Sequence, residues 1–439
     1  MTDSAATRLE TLVSLCKRRG FVFQSSEIYG GINAVYDFGP LGVRLRRRIR
    51  DAWWREIVDL RDDVEGVEAA ILMNPTVWEA SGHLTNFSDP LVDCLGKCHQ
   101  RWRADQLEGP TCPNCGGPLS QPRQFNLMFK TFVGPVEDDS AVVYLRPETA
   151  QGMFVNFKNV VNSSRQRIPF GIAQIGRSFR NEISTGNFIF RLRELEMMEM
   201  EWFCQPGQDA SWFEYWCEQR LSWHESLGLN RDHLRLRPHG ENEKAHYALA
   251  SSDIEYLYPW GWAELEGIAR RGDYDLRRHQ EVSGKDLQYT DPATNERYLP
   301  YVVEPALGVD RTFLALLLDA YAEEEVRGET RVVLHLKPSM APFQVAVLPL
   351  QRKPELVELA RQIEHQLRAQ FSTDYDDTQS LGRRYRRQDE IGTPLAITID
   401  FETLEDRAAT IRDRDSMEQV RVSLDQLAAV CQERLGLAP

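Results

Sequence analysis

No apolar run in this chain approaches the ~20 residues that a membrane-spanning helix requires. The opening residues, MTDSAATRLE, have neither the basic start nor the hydrophobic stretch of a secretion signal. A surplus of positive charge is also missing: 52 Lys and Arg stand against 66 Asp and Glu, a formal net charge of −14. These absences predict a cytoplasmic protein with no membrane partner, and they argue against non-specific coating of nucleic acid. A specific nucleic-acid partner stays open, because such binding answers to local patches rather than to the total. Internal repeats and low-complexity stretches are absent too. The 439 residues allow two or three domains and a large core.

Cysteine is scarce but clustered. Of eight, four fall as Cys94, Cys98, Cys112 and Cys115, in DCLGKC and CPNCGG. Pairs spaced C-x3-C and C-x2-C bring two thiolates each to one ion, and Gly116-Gly117 permits a tight knuckle. Four thiolates close a tetrahedral zinc site with no open position, so the role expected of the metal is structural. His99 is a candidate substitute ligand. Residues 93–122 form a turn-rich island around this site.

Elsewhere, LRRRIRDAWWREIVDLRDDVEGVEAAILMNP predicts a long amphipathic helix, with Trp53, Trp54, Ile57 and Leu60 as its apolar stripe, then a strand closed by Pro75. Strand-like runs alternate with charged loops over 141–203 and 256–315, and an apolar helix ends at Ala315–Tyr321. The reading is α+β, an antiparallel sheet with helices, over residues 1–335. From about 336 to 439, strand-like FQVAVLPL, a helix in PELVELARQIEHQLRAQF, strand-like PLAITID and a final helix predict a small α/β domain.

Residues 179–202, FRNEISTGNFIFRLRELEMMEMEW, thread opposite charges through residues fit for a core. Glu, Leu and Met favour a helix, whereas FIFRLRELE favours a strand, and pattern leaves the two even. Ser184–Asn187 is a candidate hairpin loop. LRPETAQG (Arg146, Glu148), WAELEGIA (Glu264, Glu266) and VVEPALGVDR (Glu304, Asp310, Arg311) share this chemistry. Singly, each reads as a surface ion pair of little consequence.

In series, R-P-E-T-A-Q-G, F-R-N-E, R-x-R-E, G-W-x-E-L and E-P-x-L-G-V-D-R resemble the active-site motifs of class II aminoacyl-tRNA synthetases. More narrowly, the chain resembles glycyl-tRNA synthetases that carry catalytic and anticodon domains on one chain and work as homodimers. The resemblance runs from CKRRGFVFQSSEIYGG through PFGIAQIGRSFRNE to RRYRRQDEIGTPLAITIDFETLEDRAATIRDRD. It implies a class II antiparallel core carrying a zinc-knuckle-like insertion, followed by an anticodon-binding domain. The implied substrates are glycine, ATP and tRNA(Gly), with Mg²⁺ and a structural Zn²⁺.

By family position, Arg180, Glu182 and Arg311 are catalytic. Arg180 meets charge developing on the α-phosphate, Glu182 the adenine side, and Arg311 the adenine face or γ-phosphate. The resemblance adds Asn181, Phe190, Arg191, Leu192, Arg193, Glu194 and Leu195 to the ATP site. It adds Glu264, as a Mg²⁺ carboxylate, with Leu265, Gly308, Val309 and Asp310. Glycine, lacking a side chain, is to be held by its ammonium among Glu148, Glu199 and Glu304, with Arg103 near its carboxylate. Glu196, Met197, Met198, Pro305, Ala306 and Leu307 complete that implied set, with Leu195 and Gly308 shared. Lost contact to a methyl discriminates by only ~1–3 kcal/mol, so larger amino acids must be excluded by clash. The family usually has serine at Ala306 and phenylalanine at Leu195, differences that bear on affinity more than on reaction type. RRYRRQ supplies Arg383, Arg384, Arg386 and Arg387 for tRNA. Trp53 and Trp54 fit either a dimer interface or a monomer core.

Two other functions fit the sequence less well. A ligase loading another carrier has no use for an anticodon reader, and a non-catalytic binding protein has no need to keep Arg180, Glu182, Glu264, Glu304 and Arg311 together.

Overall fold

The computed structural model describes residues 3–240, 243 and 247–436. Its centre is a seven-stranded sheet in the order Leu234–Pro238, Ala250–Tyr258, Gly261–Gly272, Tyr301–Gly308, Glu194–Cys204, Phe170–Phe179 and Val64–Gly66. Neighbours are antiparallel except Val64–Gly66, which runs parallel to Phe170–Phe179.

The stretch left even between helix and strand is a strand. Glu194–Cys204 pairs along ten positions with Phe170–Phe179 and also with Tyr301–Gly308. Two flanking strands outweigh the helix propensity of Glu and Met, which is worth only tenths of a kcal/mol per residue. The strand begins later than FIFRLRELE suggests, because Phe188–Phe190 form a 3₁₀ turn within the loop that contains Ser184–Asn187.

The amphipathic helix spans Pro40–Trp54 and passes into a wider turn at Arg55–Asp59. Trp53 and Ile57 are buried in the main core, but Leu60 is 62% exposed, because the wider turn ends there and carries it off the stripe. The expected strand in AAILMNP is replaced by the short Val64–Gly66 upstream, and Pro75 precedes the helix Thr76–Ala80. Helix Val309–Ala320 buries ten of its twelve residues against the sheet.

A five-stranded sheet follows, ordered Thr373–Tyr375, Val345–Pro349, Leu395–Ile399, Ala408–Asp413 and Gln419–Ser423. The first three strands are parallel, and the last two are an antiparallel pair the sequence reading missed. This sheet has its own core with helices Pro354–Leu367 and Leu427–Leu435. Leu336 and Met340, just past the expected boundary, pack in the larger core instead. Among the described residues no helix is long and apolar enough to cross a membrane.

Candidate functional site

A cavity of about 460 Å³ opens on one face of the seven-stranded sheet, within the range of small-molecule sites. Strand alternation decides who reaches it. From Glu194–Cys204, Leu195, Met197 and Glu199 line the cavity. Met198 belongs to the core on the other side, and Glu196 is bound there by Arg46 and Arg50 at 2.8 and 3.1 Å. Across the sheet, Glu199 lies opposite Ala306, Ala306 opposite Gly267, and Glu304 opposite Ala269. Small side chains therefore separate the carboxylates and keep the floor open.

Glu148, Glu199 and Glu304 converge at one end. Glu148 accepts from Gln151 Nε2 at 2.9 Å and lies 3.4 Å from His83 Nε2. Burial would raise its pKa, but His83 and Arg271 outweigh that and hold the carboxyl below its usual range. Glu199 accepts from the backbone N of Thr149 at 2.6 Å and from its hydroxyl; burial and the charge of Glu148 push it up nonetheless. Burial drives Glu304 up to about 7, opposed by Arg271 at 2.8 Å and reinforced by Glu148 and Glu199. The ionised Glu148 thus raises the cost of a second and third charge beside it, which is why Glu199 and Glu304 shift upward.

The other end is arginine-rich. Arg180 Nε donates to the Pro147 carbonyl at 3.0 Å. Arg311 lies 4.4 Å above the Phe190 ring and pairs with Glu264 at 3.1 Å. That arginine is the main reason the Glu264 carboxyl sits below its ordinary pKa. Glu182 lines the wall between the ends, raised by burial against the pull of Arg180 and Arg191. Arg103 reaches the same wall from strand Arg101–Arg103, held by Asp89 at 2.9 Å and Asp105 at 2.7 Å. Phe190, Arg191, Leu192, Ala306, Gly308 and Asp310 also line the cavity.

Several expected site residues point elsewhere. Leu265, Leu307 and Val309 are buried in the core: Leu307 by strand alternation, Leu265 at a register shift in strand Gly261–Gly272, and Val309 as the first residue of its helix. Glu194 pairs with Arg177 at 2.8 Å on a half-exposed surface. Arg193 is spent on the carbonyls of Asn33 and Glu182 at 2.7 and 3.1 Å. Asn181 and Pro305 are not among the lining residues, and the backbone N of Asn181 donates to Leu127 O at 2.7 Å. In RRYRRQ, on helix Leu381–Ile391, Arg384 is buried and donates to the carbonyls of Pro349, Asp377, Thr378 and Gln379. Arg387 holds Asp376 at 2.5 Å. These two are thereby taken up within the protein; Arg383 is exposed, and the half-buried Arg386 lies 3.7 Å from Glu329.

Sequence reasoning missed Arg271, His83 and Glu201. Arg271 is fully buried, binding Glu304 and, at 2.8 and 2.9 Å, Asp275. Glu201 is wholly buried, and neither of its oxygens has a hydrogen-bond partner. Glu201 lies in the charged stretch 179–202 but was given no role there, and for Arg271 the doubled arginine in IARRGDYD was the available hint.

The four clustered cysteines meet as expected. Their sulfurs all lie within 4.8 Å of one another, with Cys94–Cys115 at 3.5 Å and Cys98–Cys112 at 3.4 Å. These separations are too long for disulfides and suit the edges of a tetrahedral zinc–thiolate site. A Cβ on Gly96 would lie 2.9 Å from Gly117 Cα, so the knuckle closes only with glycine there. His99, with its left-handed φ of 50°, is not part of the cluster.

An antiparallel sheet bearing an arginine-rich and a carboxylate-rich end in one cavity, joined to a separate mixed sheet, defines a class II aminoacyl-tRNA synthetase. Residues 133–321 match the tRNA synthetase class II core domain (G, H, P, S and T), and residues 344–434 match an anticodon binding domain. The chain is 54% identical to the glycine–tRNA ligase of Treponema denticola, over 95% of each sequence. It is 52% identical to that of Caldanaerobacter subterraneus, over 97% of this chain and 98% of the relative. Against that of Thermobifida fusca it is 51% identical over 98% of both. The chain belongs to the glycine–tRNA ligase family.

Proposed function

We propose that the cavity joins glycine to ATP, releasing pyrophosphate, and that the glycyl group then passes to the 3′-terminal ribose of tRNA(Gly). The observation that carries this reading is that one cavity gathers Glu148, Glu199 and Glu304, whose charges act on one another, together with Arg180 and Arg311. The ammonium of glycine fits among Glu148, Glu199 and Glu304. Its carboxylate oxygen attacks the α-phosphorus, and Arg180 stabilises the charge that develops there. Arg311 above Phe190, with Glu182, forms the adenine end. Glu264 and the neighbouring Asp253 offer the oxygen donors that Mg²⁺ takes alongside a triphosphate, and the ion supplies charge neutralisation there when bound. Zinc in the Cys94–Cys115 knuckle shapes the insertion that presents Arg103 and takes no part in the reaction.

Residues 1–335 carry this chemistry and residues 336–439 read the tRNA, with Arg383 available to phosphates and Arg386 able to exchange its loose 3.7 Å pairing with Glu329 for one. A homodimer in the cytoplasm is part of the same reading. In support of the dimer, Val64–Gly66 ends the large sheet, beside a groove of about 790 Å³ lined by Trp54, Val67 and Ile71. The test is exchange of labelled pyrophosphate into ATP with Mg²⁺ present. Exchange with glycine, and not with alanine or serine, is expected; folded protein that exchanges with no amino acid would overturn the proposal.

A further inference from the structure

The loop Ser25–Val35 holds large apolar side chains out in water. Ile28 is 87% exposed and Tyr29 86%. Single exposed hydrophobes are ordinary, but this pair sits on a built support. Gln24 Nε2 donates to the carbonyls of Ile32 and Val35 at 2.6 and 2.9 Å. Tyr29 N donates to Ser26 O at 2.9 Å, closing the 3₁₀ turn Glu27–Tyr29. Ser26 and Ala34 take left-handed φ values of 55° and 59°, which non-glycine residues adopt only under constraint. A Cβ on Gly31 would lie 2.7 Å from Gln24 Cγ.

The base of the loop is fastened to the hairpin that walls the catalytic cavity. Asn33 Nδ2 donates to Thr185 Oγ1 at 2.8 Å, Arg193 Nη1 to Asn33 O at 2.7 Å, and Arg193 N to Ala34 O at 3.0 Å. The same hairpin places Glu182, Phe190 and Arg191 in the cavity. The loop that bears the exposed pair is therefore tied, through Asn33 and Ala34, to the segment that supplies part of the cavity wall.

We propose that Ile28 and Tyr29 receive the single-stranded 3′ end of the tRNA, with the Tyr29 ring stacking on an unpaired base as the strand enters the cavity. This rests on the ligase reading, which requires an RNA 3′ end to be delivered there. Unpaired nucleotides are bound largely by stacking on exposed aromatic rings. Among the described residues only Tyr29 and Phe401 are exposed aromatics, and Phe401 follows strand Leu395–Ile399 of the C-terminal sheet. Tyr29 is the one on the catalytic side.

The two half-reactions separate this inference from the reading beneath it. Pyrophosphate exchange needs no tRNA, so Tyr29→Ala is expected to exchange with glycine at the wild-type rate. In aminoacylation the same variant is expected to raise KM for tRNA by about tenfold, the scale of one lost stack. Tyr29→Phe is expected to restore it. Removing the three terminal nucleotides of the tRNA should weaken binding to the wild-type protein and make no further difference to Tyr29→Ala. A wild-type KM in Tyr29→Ala, an equal loss in Tyr29→Phe, or the same cost of truncation in both proteins would overturn the proposal. Absence of exchange in the wild-type protein would overturn the ligase reading itself.

Discussion

Arg271 Nη1 donates to Glu304 at 2.8 Å, with Arg271 wholly buried and Glu304 nearly so. A buried arginine this close ordinarily keeps a carboxyl ionised, yet Glu304 rises to about 7 because burial, Glu148 and Glu199 oppose it. The three carboxylates are therefore short of positive charge, which on the proposed reading the ammonium of glycine supplies.

Below pH 7 Glu304 holds its proton and contributes no charge to an incoming ammonium; above pH 7 it is ionised. Apparent glycine affinity should accordingly rise with pH and level off above about 7. KM for glycine, measured by pyrophosphate exchange from pH 5.5 to 8.5, should fall by up to about tenfold per unit below the break. In Glu304→Gln the break should vanish and KM should stay high throughout.

Glu201 behaves differently from its neighbours. It is buried without a hydrogen-bond partner, and burial together with Glu304 pushes its pKa well above the carboxylate range. Burial without a partner favours its neutral form over the carboxylate. Glu201→Gln should keep KM for glycine within about twofold, keep the pH profile, and change unfolding free energy by under about 1 kcal/mol in denaturant titrations. A tenfold rise in KM would show that Glu201 binds as an anion.

On the proposed reading Arg180 acts on charge that exists only as the α-phosphorus is attacked. Arg180→Ala should lower kcat for exchange by about 10²–10³, the loss typical of one such donor. Glycine binding by calorimetry should stay close to wild type. An equal loss in glycine affinity would place Arg180 in the amino-acid site instead.

The cysteine knuckle should hold about one zinc per chain by elemental analysis, as four convergent thiolates imply. Cys112→Ser should lose it, and limited proteolysis should then cut within 93–122. Because Arg103 is carried on this insertion, its substrate KM values should rise as well.

Much of the site was legible because its residues come in motifs whose order survives in the chain. What the sequence hid was phase. In ELEMMEME, Glu196 and Glu199 read alike, but three positions along a strand reverse the face, so one meets Arg46 and the other the cavity. That phase is set by pairing with Phe170–Phe179, which lies outside the motif. The same holds for Leu265, Leu307 and Val309, which flank cavity residues but face the core. In RRYRRQ, helical periodicity buries Arg384 on the same side as Gln388, and spacing alone cannot say which arginines stay free. Arg271 and Glu201 were hidden because each sits beside like charges, Arg270 and Glu199, and such runs in a strand normally read as solvated.

On the proposed reading one cavity holds glycine by its ammonium among Glu148, Glu199 and Glu304 and ATP beside Arg180 and Arg311. A crystal structure with a non-hydrolysable glycyl-adenylate analogue puts this to the test in one measurement. The ammonium nitrogen is expected within hydrogen-bond distance of Glu148, Glu199 and Glu304, with the α-phosphate mimic against Arg180 and the adenine beside Phe190 and Arg311. An analogue bound with its ammonium away from those three carboxylates would contradict it.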